Sequence, residues 1–167
     1  MIEIRRKFLD EDHCFEIILK TKDKLNPAFL TSGKLDVNIR NASRAPYYDV
    51  VLKEKLFKIS DLSEMEGISH LAFFQFSEYT QGQFFKWHND GQKIKSHIIL
   101  LNDDFTGGEL EFEDNDDLNL GVGDCVSYNS YLNHRVKTIT SGVRYSIVAW
   151  EFPDEVWKND SRFTSGN

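Results

Sequence analysis

The chain has 167 residues, with 20 lysines and arginines against 27 aspartates and glutamates, and a formal net charge of −7. This length suits one domain, and a composition of 40% hydrophobic and 28% charged residues excludes a disordered chain. The apolar runs are too short to cross a bilayer, and no signal peptide is visible at the start. The two cysteines, Cys14 and Cys125, cannot build a disulfide framework, so we expect a cytoplasmic protein without a membrane anchor.

The negative charge is concentrated in one span of the chain. Residues 96–134 hold nine acidic residues and no lysine or arginine, and the rest of the chain is slightly basic. The acidic stretch at 103–117 is typical of a solvated surface loop, and it lacks the spacing of an EF-hand calcium site. Because no dense basic stripe is present, tight nucleic-acid binding is not expected.

The first third of the chain is predicted to be partly helical. Asp10 can cap a helix with three apolar residues on one face: Phe15, Ile18 and Leu19. The Asn26-Pro27 pair then breaks the helical pattern. A second helix is predicted over residues 49–60, where apolar residues recur at intervals of three and four: Val51, Leu52, Leu56 and Ile59.

After Gly67 the sequence changes to short runs rich in aromatic and β-branched residues, separated by turn residues. Six runs have this character: 70–79, 96–103, 108–114, 124–129, 134–139 and 143–152. Such runs predict an antiparallel sandwich or barrel, of which the jelly roll is one form. The fold class is therefore mainly β with N-terminal helices. We expect a helical support region at 1–66, a β core at 67–157 and a flexible tail at 158–167.

One cluster of candidate metal ligands stands out. His88 and Asp90 are two residues apart, so in an extended segment both side chains face the same side. His134 begins a later strand and can supply a third ligand across the sandwich. Two imidazoles and one carboxylate with open positions form the facial triad that non-haem Fe(II) prefers.

A candidate anion-binding residue lies ten positions after His134. Alternation along the last strand places Arg144, Ser146, Val148 and Trp150 on one face. A buried arginine is costly unless it meets an anion, and with a neighbouring hydroxyl it can grip a carboxylate. The alternative is a structural ion pair with one of the many acidic residues.

Five ordered elements extend this pattern over residues 70–152, about half of the chain. They are Tyr79 and a glycine before the His88–Asp90 pair, an LN pair followed by GGEL, a Gly-Asp pair, His134, and Arg144. In this order they resemble the prolyl 4-hydroxylase-like branch of the Fe(II)/2-oxoglutarate-dependent dioxygenases. The resemblance implies a double-stranded β-helix, which is a jelly roll, preceded by supporting helices.

The resemblance also implies roles for individual residues. Three residues match the iron ligands: His88, Asp90 and His134. Arg144 matches the residue that holds the distal carboxylate of 2-oxoglutarate, and Ser146 fits as its hydroxyl partner. Tyr79 matches a tyrosine that hydrogen-bonds the cosubstrate. Trp150 matches an aromatic residue of the substrate pocket, with a plain core role as the alternative.

Other positions are expected to be structural or to depart from the family. Gly107, Gly108, Gly123 and Asp124 fit tight turns. Thr140–Gly142 has the composition of a hairpin turn, but the resemblance implies that its flanking strands join opposite sheets. Many relatives have a tyrosine in contact with the cosubstrate where this chain has Leu100, so Tyr79 or Ser146 must compensate for it.

The remaining histidines and an early arginine receive no functional role. His97 is expected in the core or behind the ligands, and His13 and His70 have no partner pattern. Arg40 begins a segment only loosely similar to a substrate-loop motif, and we assign it no substrate role.

The resemblance implies an enzyme that uses Fe(II), 2-oxoglutarate and O2, with ascorbate as a reductant. Its reaction is hydroxylation of an unactivated C–H bond with decarboxylation of 2-oxoglutarate to succinate, and a prolyl residue in a peptide or protein is the expected target. The alternatives are a lysyl side chain, a free amino acid or another small molecule, and a non-catalytic jelly-roll binding module. Nucleobase demethylation is disfavoured, because Trp150 stands where that branch has a second arginine.

Overall fold

The computed structural model describes residues 1–30, 32–60, 69–114, 118–153 and 159, with the backbone alone at 69–73. Two α-helices and one 3-10 turn lie in the first third: α1 at Glu11–Thr21, the turn at Lys22–Lys24 and α2 at Val50–Ile59. Four strands precede or flank α2: β1 at Ile2–Arg5, β2 at Asn26–Pro27, β3 at Arg40–Asn41 and β4 at Ser43–Tyr47. The other strands are β5 at Ser69–Tyr79, β6 at Phe84–His88, β7 at Lys95–Leu100, β8 at Thr106–Gly107, β9 at Leu110–Phe112, β10 at Cys125–Asn129, β11 at His134–Val136, β12 at Ile139–Ser141 and β13 at Arg144–Pro153.

The strands form two antiparallel sheets and a small two-stranded ribbon. The large sheet has the order β1-β10-β7-β13-β5-β4-β2, the smaller sheet the order β3-β6-β11-β9, and the ribbon pairs β12 with β8. One apolar cluster joins the large sheet to β9 of the smaller sheet, through Ile98, Val126, Tyr128, Leu110 and Phe112. The two sheets therefore pack on each other as a sandwich, and the predicted jelly roll is confirmed.

Both predicted helices form, and each begins at the predicted cap. The Asp10 carboxylate accepts a hydrogen bond from the His13 N–H, and the Asp49 carboxylate accepts one from the Leu52 N–H. Such caps typically contribute about 1 kcal/mol each, because they satisfy amides that lack a helical partner. Asp49 also binds His13 Nε2 at 2.8 Å, which links α1 to the start of α2.

The predicted apolar face of α1 is wrong for two of its three residues, since only Ile18 packs against the core. Phe15 and Leu19 are 60% and 49% exposed, whereas Cys14 and Ile17 are fully buried. The buried residues of the helix are instead Cys14, Ile17 and Thr21. This face is rotated by one residue from the predicted one, and it packs against the large sheet. In α2 the expectation holds better, since Leu52 and Leu56 are buried, although Val51 is exposed.

The helices cover the outer face of the large sheet. There Leu9, Cys14, Ile17, Leu52 and Leu56 pack against apolar side chains of the strands: Phe74, Phe76, Ile99, Cys125, Ile147 and Ala149. Covering this face removes it from water and leaves the inner face directed at the smaller sheet. The core thus has two layers, and the site described below lies in the inner one.

The description of the first third as a helical support region is incomplete. Four of its segments are strands, and they add edges to both sheets. They are short, between two and five residues, and only β1 alternates apolar and polar side chains, over just four residues, so periodicity is a weak signal for them. As the resemblance implied, the strands on either side of β12 belong to opposite sheets, β11 to the smaller one and β13 to the large one.

Three expectations fall wholly or partly outside the described residues. The predicted tail at 158–167 lies outside them, except for residue 159. The predicted boundaries at residues 66 and 157 and the side chain of His70 also lie outside them. Within the described part of the chain, neither helix combines the length and apolar character needed to cross a membrane. The described acids of the acidic stretch at 103–117 are all exposed or partly exposed, as predicted. Asp124, the last acid of the 96–134 span, is buried and accepts hydrogen bonds from Arg6 and from the Lys7 and Gly121 amides.

Candidate metal and carboxylate site

Three of the predicted site residues meet between the two sheets. Strand β6 ends at His88 and pairs with β11 so that His88 lies directly opposite His134. Asp90 follows two residues later, where its amide donates to the Ser130 carbonyl at 2.8 Å. One ligand atom from each of His88, Asp90 and His134 lies within 4.8 Å of the other two. Such a cluster can hold one metal ion.

Both histidines are oriented by the same local contact. The Nδ1–H of His88 donates to the carbonyl of Lys86 at 2.7 Å, and the Nδ1–H of His134 donates to the carbonyl of Leu132 at 2.9 Å. Because a carbonyl only accepts, these contacts place the proton on Nδ1 and leave the Nε2 lone pair available to a metal. The ring of Phe85 stacks on His88 with a centroid separation of 3.4 Å.

The electrostatics of the cluster keep its members ready to bind a cation. Burial lowers the pKa of His88 to about 4, and burial also lowers the pKa of His134. Burial alone would raise the pKa of Asp90, but the nearby His134 and the Ser96 hydroxyl, with further groups, hold it below its ordinary value. At neutral pH the cluster therefore offers two neutral imidazoles and a carboxylate, the donor set of a non-haem Fe(II) site.

Two hydroxyls behind the cluster were missed by the sequence reasoning. Ser96 Oγ donates to Asp90 Oδ2 at 2.5 Å, and Tyr128 OH donates to the same oxygen at 3.2 Å while lying 3.1 Å from His134 Nε2. Burial and the neighbouring Asp90 raise the pKa of Tyr128, so it stays a donor. The alternation in the 124–129 run, which puts Tyr128 on the inner face, was the available signal.

Arg144 lies in the same cavity as the three ligands, at the start of β13 and opposite Tyr79 of β5. It is 2% exposed, and its Nη1 donates to Ser146 Oγ at 2.9 Å. Its Nε has no partner, and no acidic side chain contacts the guanidinium within the described part of the chain. Burial lowers the pKa of Arg144. A buried cation in this state calls for an anionic ligand, and the structural ion pair considered above is not found.

The LN and GGEL motifs position this arginine. Asn102 accepts from the Tyr145 amide at 2.7 Å and donates to the Val143 carbonyl at 2.6 Å, so it holds the backbone on both sides of Arg144. Gly108 has a φ of +69°, and a Cβ there would lie 2.2 Å from Ile139 Cδ1 and 3.2 Å from Arg144 Cδ. A larger residue would collide with Ile139 and contact the aliphatic part of Arg144, so this tight turn requires glycine.

The remaining predicted residues divide between the cavity and the core. Tyr79, Ser146 and Trp150 line the cavity with the ligands, and the guanidinium carbon of Arg144 lies 5.7 Å from the Tyr79 ring centroid. Leu100 is buried opposite Ser146 and is not among the residues that line this cavity. Tyr79 and Ser146, the two residues expected to compensate for Leu100, both line the cavity.

His97 lies on the other side of the large sheet from the ligands. It is fully buried and binds Glu151 Oε1 at 2.7 Å and Ser127 Oγ at 2.8 Å. Its placement among the core side chains agrees with the expectation that it is not a ligand. Arg40, by contrast, lines the ligand cavity although no role was predicted for it.

A larger cavity of about 760 Å³ shares Arg144 with the ligand cavity and touches the Gly107–Gly108 turn. It contains none of the three ligands, and its lining mixes acids and bases, such as Asp103, Glu109 and Lys7. Size alone does not make it the reactive site, because the groups with metal-binding chemistry lie elsewhere.

Comparison with known proteins agrees with this site. The family model of the 2OG-Fe(II) oxygenase superfamily matches residues 74–152. A PKHD-type hydroxylase of Acaryochloris marina is 33% identical over 111 residues, covering 60% of this chain and 48% of the relative. A PKHD-type hydroxylase of Cupriavidus metallidurans is 34% identical over 92 residues, covering 45% of this chain and 40% of the relative. The chain spans about half the length of the curated relatives it matches.

Solved structures share the fold. A Pseudomonas putida prolyl-4-hydroxylase superposes with a TM-score of 0.70 at 19% identity, covering 89% of this chain and 91% of that one. A Trichoplax adhaerens prolyl hydroxylase, solved with a hypoxia inducible factor peptide fragment, superposes with a TM-score of 0.79 at 16% identity. The match covers 99% of this chain and 87% of that one. Residues 74–152 match the 2OG-Fe(II) oxygenase superfamily, and the chain is similar to PKHD-type hydroxylases.

Proposed function

We propose that this chain is an Fe(II)- and 2-oxoglutarate-dependent hydroxylase whose substrate is a prolyl residue in a peptide or protein. The observation that carries the proposal is the presence, in one cavity, of a metal triad and a buried arginine without a counter-ion. A metal site alone would fit many functions. The arginine adds the need for a carboxylate close to that metal, which 2-oxoglutarate meets.

The residues present fit both groups that the family implies. His88, Asp90 and His134 would hold the iron, since their donor set is the facial triad and the two Nδ1 contacts fix the rings. Arg144 would hold the distal carboxylate, with Ser146 and Tyr79 beside it. When bound, these groups and O2 supply the oxidising chemistry that converts 2-oxoglutarate to succinate and carbon dioxide and adds one oxygen atom to a C–H bond.

The protein's own part is to orient the reactants and to exclude water. Ser96 and Tyr128 hold the Asp90 carboxylate, so that its orientation does not depend on the metal alone. Apolar side chains from both sheets line the cavity around the ligands: Phe85, Ile98, Val136, Val148 and Trp150. A dry lining protects reactive species from side reactions with solvent.

The PKHD-type relatives support a hydroxylase. The prolyl substrate is proposed by similarity to the Pseudomonas putida prolyl-4-hydroxylase and to the Trichoplax adhaerens prolyl hydroxylase solved with a peptide. The cytoplasmic location stays a prediction, in keeping with the two buried free thiols of Cys14 and Cys125. Ascorbate as a reductant also stays a prediction.

An anaerobic titration with Fe(II), with and without 2-oxoglutarate, tests the cofactor assignment. The proposal expects a metal-to-ligand charge-transfer band that requires both components and is absent in His134→Ala. The matched control is His13→Ala, a histidine outside the cavity. If no band forms, the enzyme assignment is wrong, and the non-catalytic binding module takes its place.

Substrate class is tested by incubating the Fe(II)-loaded protein with peptide and metabolite pools in the presence of 2-oxoglutarate. Mass spectrometry should show the gain of one oxygen on prolyl residues, dependent on 2-oxoglutarate and lost in His134→Ala. Oxygen gain on lysyl side chains or on free amino acids would retain the chemistry and replace the substrate.

A further inference from the structure

Buried polar atoms without a partner are concentrated at the ligand cavity. Within the described part of the chain, five buried side-chain nitrogen or oxygen atoms lack a hydrogen-bond partner. Three of them belong to residues that line the ligand cavity: Arg40 Nε, Arg144 Nε and Trp150 Nε1. All three are N–H donors. Since a buried donor without an acceptor is destabilising, these three call for acceptors that a ligand brings.

The cosubstrate accounts for one of the three donors. Under the proposed function, Arg144 binds the distal carboxylate of 2-oxoglutarate. Trp150 lies six residues later on the same strand, and a strand rises about 3.3 Å per residue, so their Cα atoms are roughly 20 Å apart. A five-carbon diacid held at Arg144 is much shorter than this separation. The indole N–H of Trp150 is therefore left for another ligand.

Arg40 approaches the metal cluster from the opposite sheet. It belongs to β3 of the smaller sheet, whereas Trp150 belongs to β13 of the large sheet. The guanidinium carbon of Arg40 lies 4.7 Å from the Phe85 ring, which stacks on His88. Its Nη1 donates to the carbonyl of Phe29 at 3.3 Å, and this leaves Nε as the donor without a partner. The two remaining donors thus come from opposite walls of one cavity.

A second cavity of about 420 Å³, which we call the side cavity, adjoins the ligand cavity. The two cavities share Gln75 and Trp150 as wall residues. Much of the side-cavity lining is apolar: Pro27, Phe29, Pro46, Phe74, Trp150 and Phe152. The Gln75 amide is satisfied within the chain, because it accepts from Arg44 Nη1 and donates to Ser77 Oγ. The unmet demand at this boundary is therefore for acceptors.

An extended peptide matches two donors on opposite walls. Its main chain carries one carbonyl per residue, and successive carbonyls point to opposite sides of the extended chain. A neutral amide carbonyl accepts from an indole N–H and from a guanidinium N–H alike. A free amino acid, by contrast, carries its acceptor oxygens on a single carboxylate. The arrangement of the donors therefore favours a peptide over a free amino acid.

We propose that the Arg40 Nε–H and the Trp150 Nε1–H bind two main-chain carbonyls of an extended peptide substrate, next to the residue to be hydroxylated. The side cavity holds the part of the peptide farther from the metal cluster. Recognition then depends on the peptide backbone and not on the charge of its side chains. This inference rests on the proposed hydroxylase function and adds to it the groups that bind the substrate.

Peptides with weakened carbonyls test the inference. The parent peptide has a central proline and neutral flanking residues. In two analogues an ester replaces one backbone amide, either the amide after the proline or the amide before the residue that precedes it. A third analogue has its ester near the peptide terminus. An ester carbonyl is a weaker acceptor than an amide carbonyl, so we expect each ester near the proline to weaken binding about fivefold and the terminal ester to leave it unchanged.

Binding is measured by fluorescence anisotropy without O2, on protein loaded with Fe(II) and 2-oxoglutarate. Trp150→Phe removes the indole N–H and keeps an aromatic ring, and Arg40→Met removes the guanidinium and keeps an unbranched side chain. Each variant should bind the parent peptide about fivefold more weakly and should lose the penalty of one of the two esters. The matched control is Trp87→Phe, an exposed residue outside both cavities, which should bind all four peptides as the wild type does. Thermal unfolding of each variant confirms that it is folded.

Three results would overturn the assignment. They are equal binding of the four peptides, ester penalties that survive in both Arg40→Met and Trp150→Phe, and a dissociation constant for 2-oxoglutarate that rises about tenfold in Arg40→Met. The last result would assign Arg40 to the cosubstrate.

Succinate release after admission of O2 separates these outcomes from failure of the hydroxylase function. Ester-sensitive binding without 2-oxoglutarate turnover would refute the hydroxylase and keep the peptide site. Turnover with equal binding of the four peptides would refute the peptide site and keep the hydroxylase.

Discussion

Two buried ionisable side chains on β13, Arg144 and Glu151, differ in how the fold treats them. Glu151 faces the helices and is fully buried, and one of its oxygens binds His97, which in turn binds Ser127. Arg144 faces the smaller sheet and is almost as deeply buried, and its described side-chain partners are both neutral: the Ser146 hydroxyl and the Tyr79 ring. Glu151 has a histidine partner for its Oε1, although its Oε2 is buried without a partner among the described residues. Arg144 has no acidic partner among those residues, and we propose that a ligand supplies one. The difference distinguishes a structural polar cluster from a binding site.

The largest expected effect on stability is at the outer pair. His97→Ala would leave the Glu151 carboxylate buried without a partner, and losses of about 3–5 kcal/mol in the free energy of unfolding are typical of such changes. Urea unfolding of the apoprotein measures this loss. His13→Ala is the control, because its partner Asp49 is partly exposed to solvent. A loss below about 1 kcal/mol would show that the outer cluster is not structural, and the comparison would fail.

A smaller effect is expected from pH. Burial lowers the pKa of His88 to about 4 from 6.5, so between these values the unfolded chain binds a proton that the folded chain does not. The free energy of unfolding of the apoprotein should therefore fall as the pH falls, by about 2 kcal/mol between pH 7 and pH 5 from this group. His88→Gln should flatten that dependence. Identical pH profiles for the wild type and the variant would contradict the buried, neutral state of His88.

The smallest effect on stability is expected at Arg144. Replacing an unpaired buried cation by an apolar side chain of similar length removes a desolvation cost, so Arg144→Met should change the free energy of unfolding by less than about 1 kcal/mol or increase it. Urea unfolding without cofactors measures this. A loss as large as that of His97→Ala would mean that the arginine has a structural partner, and the contrast between the two faces would disappear.

The sequence predicted the parts of the fold that depend on local pattern. The Asp10 and Asp49 caps and six of the nine strands described from residue 69 onward follow from short-range chemistry, whereas β6, β8 and β12 were not among the predicted runs. The buried face of α1 was missed, since tertiary packing against the sheet decides it. The strands of the first third escaped notice because they add to sheet edges that only the assembled fold provides.

In the candidate site, too, the features set by local sequence pattern were predicted and those set by tertiary packing were not. The order of motifs and strand alternation pointed to His88, Asp90, His134 and Arg144, and the structure brings them into one cavity. Arg40 could not be found in this way, because its place beside His88 depends on the pairing of β3 with β6, two segments far apart in sequence. Tyr128 and Ser96 could be assigned to inner faces, but their hydrogen bonds to Asp90 depend on rotamers and on sheet packing.

The central claim is that Arg144 is completed by the distal carboxylate of 2-oxoglutarate. The most direct test is an anaerobic titration of the Fe(II)-loaded wild type and Arg144→Gln with 2-oxoglutarate, with Fe(II) affinity measured separately. We expect the dissociation constant for 2-oxoglutarate to rise about 100-fold, because a charge-assisted bidentate contact is lost, and Fe(II) affinity to change by less than about threefold. Equal 2-oxoglutarate affinity in the two proteins would contradict it.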